Sequence, residues 1–219
     1  MTTPRKRVVV LISGGGSNML ALATACEARD FPAEVVAVIS DKSSAGGLAK
    51  AAERGIATFT FERRDYASKA EHEAAILATL ETLSPDIVCL AGYMRLLSGE
   101  FIQRLEGRII NIHPSLLPLF PGLHTHQRAI DAGMRIAGCT VHFVTEGMDE
   151  GPILAQAAVP VVTGDTADSL AARVLTVEHK LYPLALKLMA EGKIRMEDGH
   201  AVREQQDTVR PDDKLIGAF

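Results

Sequence analysis

The sequence predicts an α/β chain: a doubly wound, mostly parallel, Rossmann-like sheet with an antiparallel C-terminal extension. Three observations predict it. Apolar, largely β-branched runs recur at Val8–Ile12, Val35–Ile39, Ile87–Ala91 and Ile109–Ile112, as strands covered on both faces read. Stretches with apolar residues three and four apart separate them, which is the stripe of a helix packed on a sheet. Beyond residue 137 the pattern changes to two strand-like runs with no helix between them, which fits antiparallel pairing.

Taken in order, Val8–Ile12 is the first strand and runs into ISGGGSNM at 12–19, a turn followed by a helix with Met19, Leu22, Ala23 and Cys26 on one face. Val35–Ile39 is a second buried strand. Ala70, Ala74, Leu77, Leu80 and Leu83 predict the buried stripe of another helix, leading into Ile87–Ala91 and then Ile109–Ile112. Repeated strand–helix–strand units imply right-handed crossovers and a doubly wound sheet, for which the order 3-2-1-4-5 is expected. Gly138–Thr145 and Ile153–Val162 are the antiparallel strands. Leu170, Val174, Val177, Leu181, Leu184 and Leu188 mark a long helix in which Pro183 is expected to cause a kink or break. From Glu197 onward the chain is polar, without periodicity, and reads as a peripheral tail.

With 219 residues, 47% of them apolar, the chain is sized for one domain spanning 1–219. Its 23 Lys and Arg against 27 Asp and Glu give a net charge of −4, which speaks against a nucleic-acid backbone as partner. The five-residue apolar run behind the basic N-terminus is too short for a signal peptide or membrane span. Cys26, Cys89 and Cys139 are odd in number and far apart, so no disulfide framework or zinc motif is expected and a reducing cytoplasmic setting fits.

The glycine-rich turn has three candidate ligands. A nucleoside triphosphate loop needs Gly-Lys-Ser/Thr, but Gly16 is followed by Ser17 and Asn18. The dinucleotide fingerprint is met at Gly14 and Gly16 and fails at Met19, although Asp41 stands where a ribose-binding acid could. What remains is a strand-to-helix turn with backbone N–H groups, two small polar side chains and a helix dipole, which suits a phosphate monoester. The competing reading is purely structural: Ser17 caps the helix and the glycines turn the chain.

The second cluster is IINIHPSLLPLFPGLHTH at 109–126. Asn111 and His113 are two apart near the carboxyl end of a strand and therefore project to one side. In the predicted order, the loop after the first strand, the segment GYMRLL at 92–97 and the Asn111/His113 pair approach one crevice. His124 and His126 are spaced to share a face, but no third ligand lies nearby and no metal is expected. The third cluster, Cys139–Pro152, delivers Asp149 in a turn before Gly151-Pro152, where it is either an ordinary turn residue or a partner for an imidazole.

Together ISGGGSN, SDKSSAGGLAKAAERGI, LAGYMRLL, NIHPSLLPLFPGLHTH, VHFVTEGMDEGPILAQAAVPV and VEHKLYP resemble the folate-dependent formyltransferase family, collinearly over about residues 7–197. The N-terminal phosphate loop and the short length are similar to the branch that formylates phosphoribosylglycinamide in purine synthesis. The resemblance implies a transferase with Asn111, His113 and Asp149 as catalytic trio. It places the substrate phosphate at Gly16, Ser17 and Asn18 and the ribose at Glu178. Lys69, Met94, Arg95, Leu96 and Leu97, with Thr145, Glu146, Gly147 and Met148, match the segments that hold 10-formyltetrahydrofolate, a cosubstrate; no metal is implied. It further implies a cis Leu117–Pro118 bond. Within the single domain a phosphate-binding half is expected at about 1–110, a catalytic and folate-binding half at about 111–197, and a peripheral tail at 198–219. Relatives often read GNGSN where this chain has Gly15, and carry Arg where it has Lys69, which keeps the charge without the bidentate fork. Partners are expected to be small molecules, with neither nucleic acid nor membrane among them. Rival readings are another folate-dependent formyltransferase or hydrolase, and an NAD-binding Rossmann protein resting on Gly14, Gly16 and Asp41.

Overall fold

The computed structural model describes residues 4–204. The chain divides into two compact units between Asn111 and Ile112. In the first, β1 (Lys6–Ile12), β2 (Ala33–Ser40), β3 (Ala57–Thr60), β4 (Ile87–Leu90) and β5 (Ile109–His113, which runs across the division) alternate with α1 (Ser17–Cys26), α2 (Gly46–Ala52), α3 (Lys69–Leu83) and α4 (Gly99–Arg104). The pairs β1–β2, β1–β4, β2–β3 and β4–β5 are all parallel. Val8–Ile12 and Ile87–Val88-Cys89 are almost wholly inaccessible, as strands covered on both faces must be. Strand order in the sheet is β3-β2-β1-β4-β5-β6-β7, so the α/β class and the 3-2-1-4-5 arrangement hold.

The second unit contains α5 (Thr125–Asp131), the antiparallel pair β6 (Ile136–Phe143) and β7 (Ile153–Pro160), α6 (Ala167–Ala190) and a small hairpin of β8 (Ile194–Glu197) and β9 (His200–Arg203). Thr166 and Ser169 form a reciprocal capping box at the start of α6. No helix among the described residues is long and apolar enough to cross a membrane.

Several expectations need correction. The stripe on α3 is rotated: His72, Glu73, Ile76 and Leu80 are buried, while Ala70 and Ala74 are exposed. Polar contacts decide this, because His72 Nε2 bonds the Phe61 carbonyl at 2.8 Å and Glu73 receives the Ser98 N–H at 3.0 Å. Pro183 does not break α6, which runs through it for 24 residues. The buried face Leu181, Tyr182, Ala185 and Leu186 holds the helix by packing, the term that outweighs local propensity. The stretch after Glu197 is not featureless: β9 pairs with β8, and Arg203 Nη2 donates to the Leu154 carbonyl at 2.6 Å. The rest of the expected tail, 205–219, lies outside the described residues.

Candidate functional site

The phosphate-loop candidate begins where β1 ends. Gly16 has φ 70° and occupies the N-cap position of α1 without a side-chain capping bond. A left-handed backbone there favours glycine, and the first-turn N–H groups of the helix point outward from an uncapped end. Gly16 packs on Gly47 of α2 so closely that a Cβ on Gly16 would stand 2.8 Å from the Gly47 Cα, and the Gly47 N–H donates to the Gly14 carbonyl at 3.0 Å. Lys50, one turn on, donates from Nζ to the Gly15 carbonyl at 2.9 Å. Gly47 and Lys50 were not singled out from sequence; the run SSAGGLAK carries them. A Cβ on Gly15 would meet nothing within 4 Å, so there is room for a side chain to begin there.

In the same unit Met94 and Leu96 are about two-thirds exposed, large apolar side chains held out on a segment without helix or strand. Its backbone is anchored by the Met94 N–H on Ser13 Oγ at 2.9 Å, and Arg95 Nε donates to Asp41 Oδ2 at 2.7 Å. Lys69, at the start of α3, is half exposed, with Nζ 3.7 Å from Glu73.

In the second unit His113 is nearly enclosed at the end of β5. Its Nε2 lies 3.1 Å from the Phe120 carbonyl and its Nδ1 3.3 Å from Asp149 Oδ2. Asp149 has φ 57°, a strained conformation for a non-glycine residue, and its Oδ2 also accepts the Gly122 N–H at 2.8 Å. The turn geometry and that bond together fix the carboxylate against the imidazole. His142, on β6, brings Nε2 to 3.8 Å from Asp149 Oδ1 while Nδ1 bonds the Phe143 carbonyl at 2.8 Å. Burial pushes the His142 titration below the ordinary histidine value, against the opposing pull of the Phe143 carbonyl and the Asp149 charge. His142 was not given a role from sequence; its place near the end of a strand that leads to Asp149 was the available signal. Asn111 lies two residues before His113 on β5, so the strand projects both to one side.

Leu117–Pro118 is cis, as the resemblance implies. Thr140 Oγ1 donates to the Ser115 carbonyl at 2.7 Å and accepts the Leu117 N–H at 3.0 Å, holding the loop after His113 onto β6. Thr145, Glu146, Gly147 and Met148 form the irregular stretch before Asp149, with Met148 half exposed. Glu178 lies on the buried face of α6. His124 caps α5 with φ 57°, and His126 is pushed down in titration by burial and by the His113 charge. Among the described residues no group of three or more His, Cys, Asp or Glu could hold a metal ion.

A formyl transferase family model matches residues 6–186. Phosphoribosylglycinamide formyltransferase of Escherichia coli is 44% identical over 194 residues, which cover 89% of this chain and 92% of that protein. The crystal structure of phosphoribosylglycinamide formyltransferase from Brucella melitensis is 72% identical with a TM-score of 0.83, covering 85% of this chain and 96% of that one. A trifunctional purine biosynthetic protein, adenosine-3, of Bos taurus is 48% identical over 88% of this chain, which spans only 19% of that protein's length.

Proposed function

Because the chain belongs to the formyl transferase family, we propose that it moves the formyl group of 10-formyltetrahydrofolate to the amine of 5'-phosphoribosylglycinamide in purine biosynthesis. The observation that carries the reading is the 3.3 Å contact between His113 Nδ1 and Asp149 Oδ2, on the strand that also presents Asn111. A largely enclosed carboxylate fixing one imidazole nitrogen leaves the other to act on substrate, in exchange for its bond to the Phe120 carbonyl.

In this scheme the substrate amine attacks the formyl carbon, forming the new C–N bond and placing negative charge on the formyl oxygen. The Asn111 amide and the His113 N–H donate to that oxygen, and a well-placed donor of this kind is worth about 3 kcal/mol. Asp149 holds the imidazole and helps carry a proton from the attacking amine to the folate nitrogen. Collapse then breaks the bond from the formyl carbon to that nitrogen, releasing tetrahydrofolate and the formylated amide product. Holding both substrates in attack geometry supplies much of the remaining acceleration.

The substrate phosphate is assigned to Gly16, Ser17 and Asn18, where an uncapped helix end favours an anion by about 0.3–1 kcal/mol. Glu178 is assigned to the ribose hydroxyls. Met94–Leu97 and Thr145–Met148 are assigned to the donor's ring system, and Lys69 to its anionic tail. In the first unit Met94 and Leu96 project apolar side chains of the kind a flat heterocycle needs, and in the second Met148 does the same.

Variants test the assignment. Asn111→Ala and Asp149→Asn are each expected to fold and to lower kcat by about 10²-fold or more. Folded variants with near wild-type formyl transfer would remove both residues from the mechanism.

A further inference from the structure

Asp41 has no part in the chemistry above, yet its side chain is wholly enclosed. Oδ2 accepts from Arg95 Nε at 2.7 Å, while Oδ1 is buried with no hydrogen-bond partner. A buried carboxylate with one lone pair orphaned and a partner that is 45% exposed is an unfavourable arrangement on its own terms. Such a group persists where the geometry it fixes matters.

What it fixes is the segment Tyr93–Leu97. The Ser13 N–H donates to the Gly92 carbonyl and Ser13 Oγ receives the Met94 N–H, which anchors the start. The end is anchored by Glu73, which accepts from both the N–H and the hydroxyl of Ser98. Between these anchors, Tyr93 is buried but its hydroxyl makes no hydrogen bond, so it supplies packing without direction. The Asp41–Arg95 pair tethers the middle through a side chain, beside residues whose own side chains are largely exposed.

We propose that Asp41 is a positioning residue for the formyl donor: through Arg95 it holds Tyr93–Leu97 in the shape that receives the folate. The proposal rests on the assignment of Met94–Leu97 to the donor. Asp41 itself touches no substrate. Asn at this position would keep the size and lose the charge, so the segment would be free to sample other arrangements at little change in packing.

The test compares Asp41→Asn, Arg95→Met and the double variant. Readouts are KM for donor and acceptor, kcat, melting temperature, and the dissociation constant of an unreactive folate analogue. Asp41→Asn is expected to raise the donor KM and the analogue dissociation constant about tenfold, with kcat and acceptor KM within about twofold. In the Arg95→Met background the Asp41 change is expected to add nothing further. Effects that add in the double variant, or a melting shift with unchanged analogue binding, would overturn the role. Should Asp41→Asn not fold, Asp41→Glu takes its place with the same expectation and the same overturning result. Wild-type protein that fails to bind the analogue would overturn the donor assignment and the proposal with it; wild-type binding that the Asp41 variants leave unchanged overturns the Asp41 role alone.

Discussion

Asp149 is held from two sides by imidazoles of different standing. His113 bears the short contact at 3.3 Å and is the ring assigned to substrate, whereas His142 stands at 3.8 Å with its other nitrogen committed to a carbonyl. Burial is the first cause of the lowered His142 titration, which favours the neutral ring near pH 7. The linkage sign follows: a folded-state pKa below the unfolded value means the unfolded chain takes up the proton first. This residue's share of stability is therefore full above about pH 6.5 and is lost as pH falls from there through the lower folded-state value. Ring nitrogen NMR is expected to find His142 still neutral at pH 6.5, and a midpoint at or above that pH would contradict the assignment. Asn111 and His113 were legible in the sequence because alternation along one strand fixes which residues share a side. The pairing of His142 with Asp149 was not, because it depends on how a strand and the irregular loop after it fold back, and no sequence period encodes that.

Among the elements, α2 shows how a helix with no apolar stripe can still be placed. Gly47 on this helix and Gly16 before α1 let their backbones touch, and a Cβ on Gly47 would stand 3.1 Å from the Gly16 Cα, 3.2 Å from the Gly14 carbonyl oxygen and 2.5 Å from Ile12 Cδ1. The isoleucine methyl can rotate away; the backbone of the turn at 14–16, to which the substrate phosphate is assigned, cannot without changing shape. Gly47→Ala is expected to cost about 1–3 kcal/mol by overpacking, seen as a melting drop of about 2–4 °C per kcal/mol. The acceptor KM should rise while the donor KM stays put; an unchanged melting temperature and acceptor KM would show that the contact is dispensable. Small-residue packing also explains why α2 escaped the sequence reading, which looks for large residues at helical spacing. The buried face of α1 was read correctly because Met19, Leu22, Ala23 and Cys26 supply such spacing. On α3 the same reading was deceived: Ala70 and Ala74 hold the periodic positions, but hydrogen-bonded His72 and Glu73 hold the interior. A polar residue earns its burial through a partner that lies elsewhere in the chain.

At the scale of the whole molecule, the apolar strand runs made the α/β class and the parallel order plain, because a sheet covered on both faces has no polar alternation to obscure it. The short, largely exposed β3 and the hairpin β8–β9 lacked that signal. Each unit carries its own share of the proposed chemistry: an anion-ready turn and an apolar, outward-facing segment in the first, the His113–Asp149 contact in the second. Formyl transfer requires both substrates at once, so neither share is expected to act without the other. The most direct measurement follows absorbance as 10-formyltetrahydrofolate is converted to tetrahydrofolate, with and without phosphoribosylglycinamide. Release that depends on the ribonucleotide and yields its N-formyl product is the predicted result. Release at the same rate without the ribonucleotide, or no release with both present, would contradict the account.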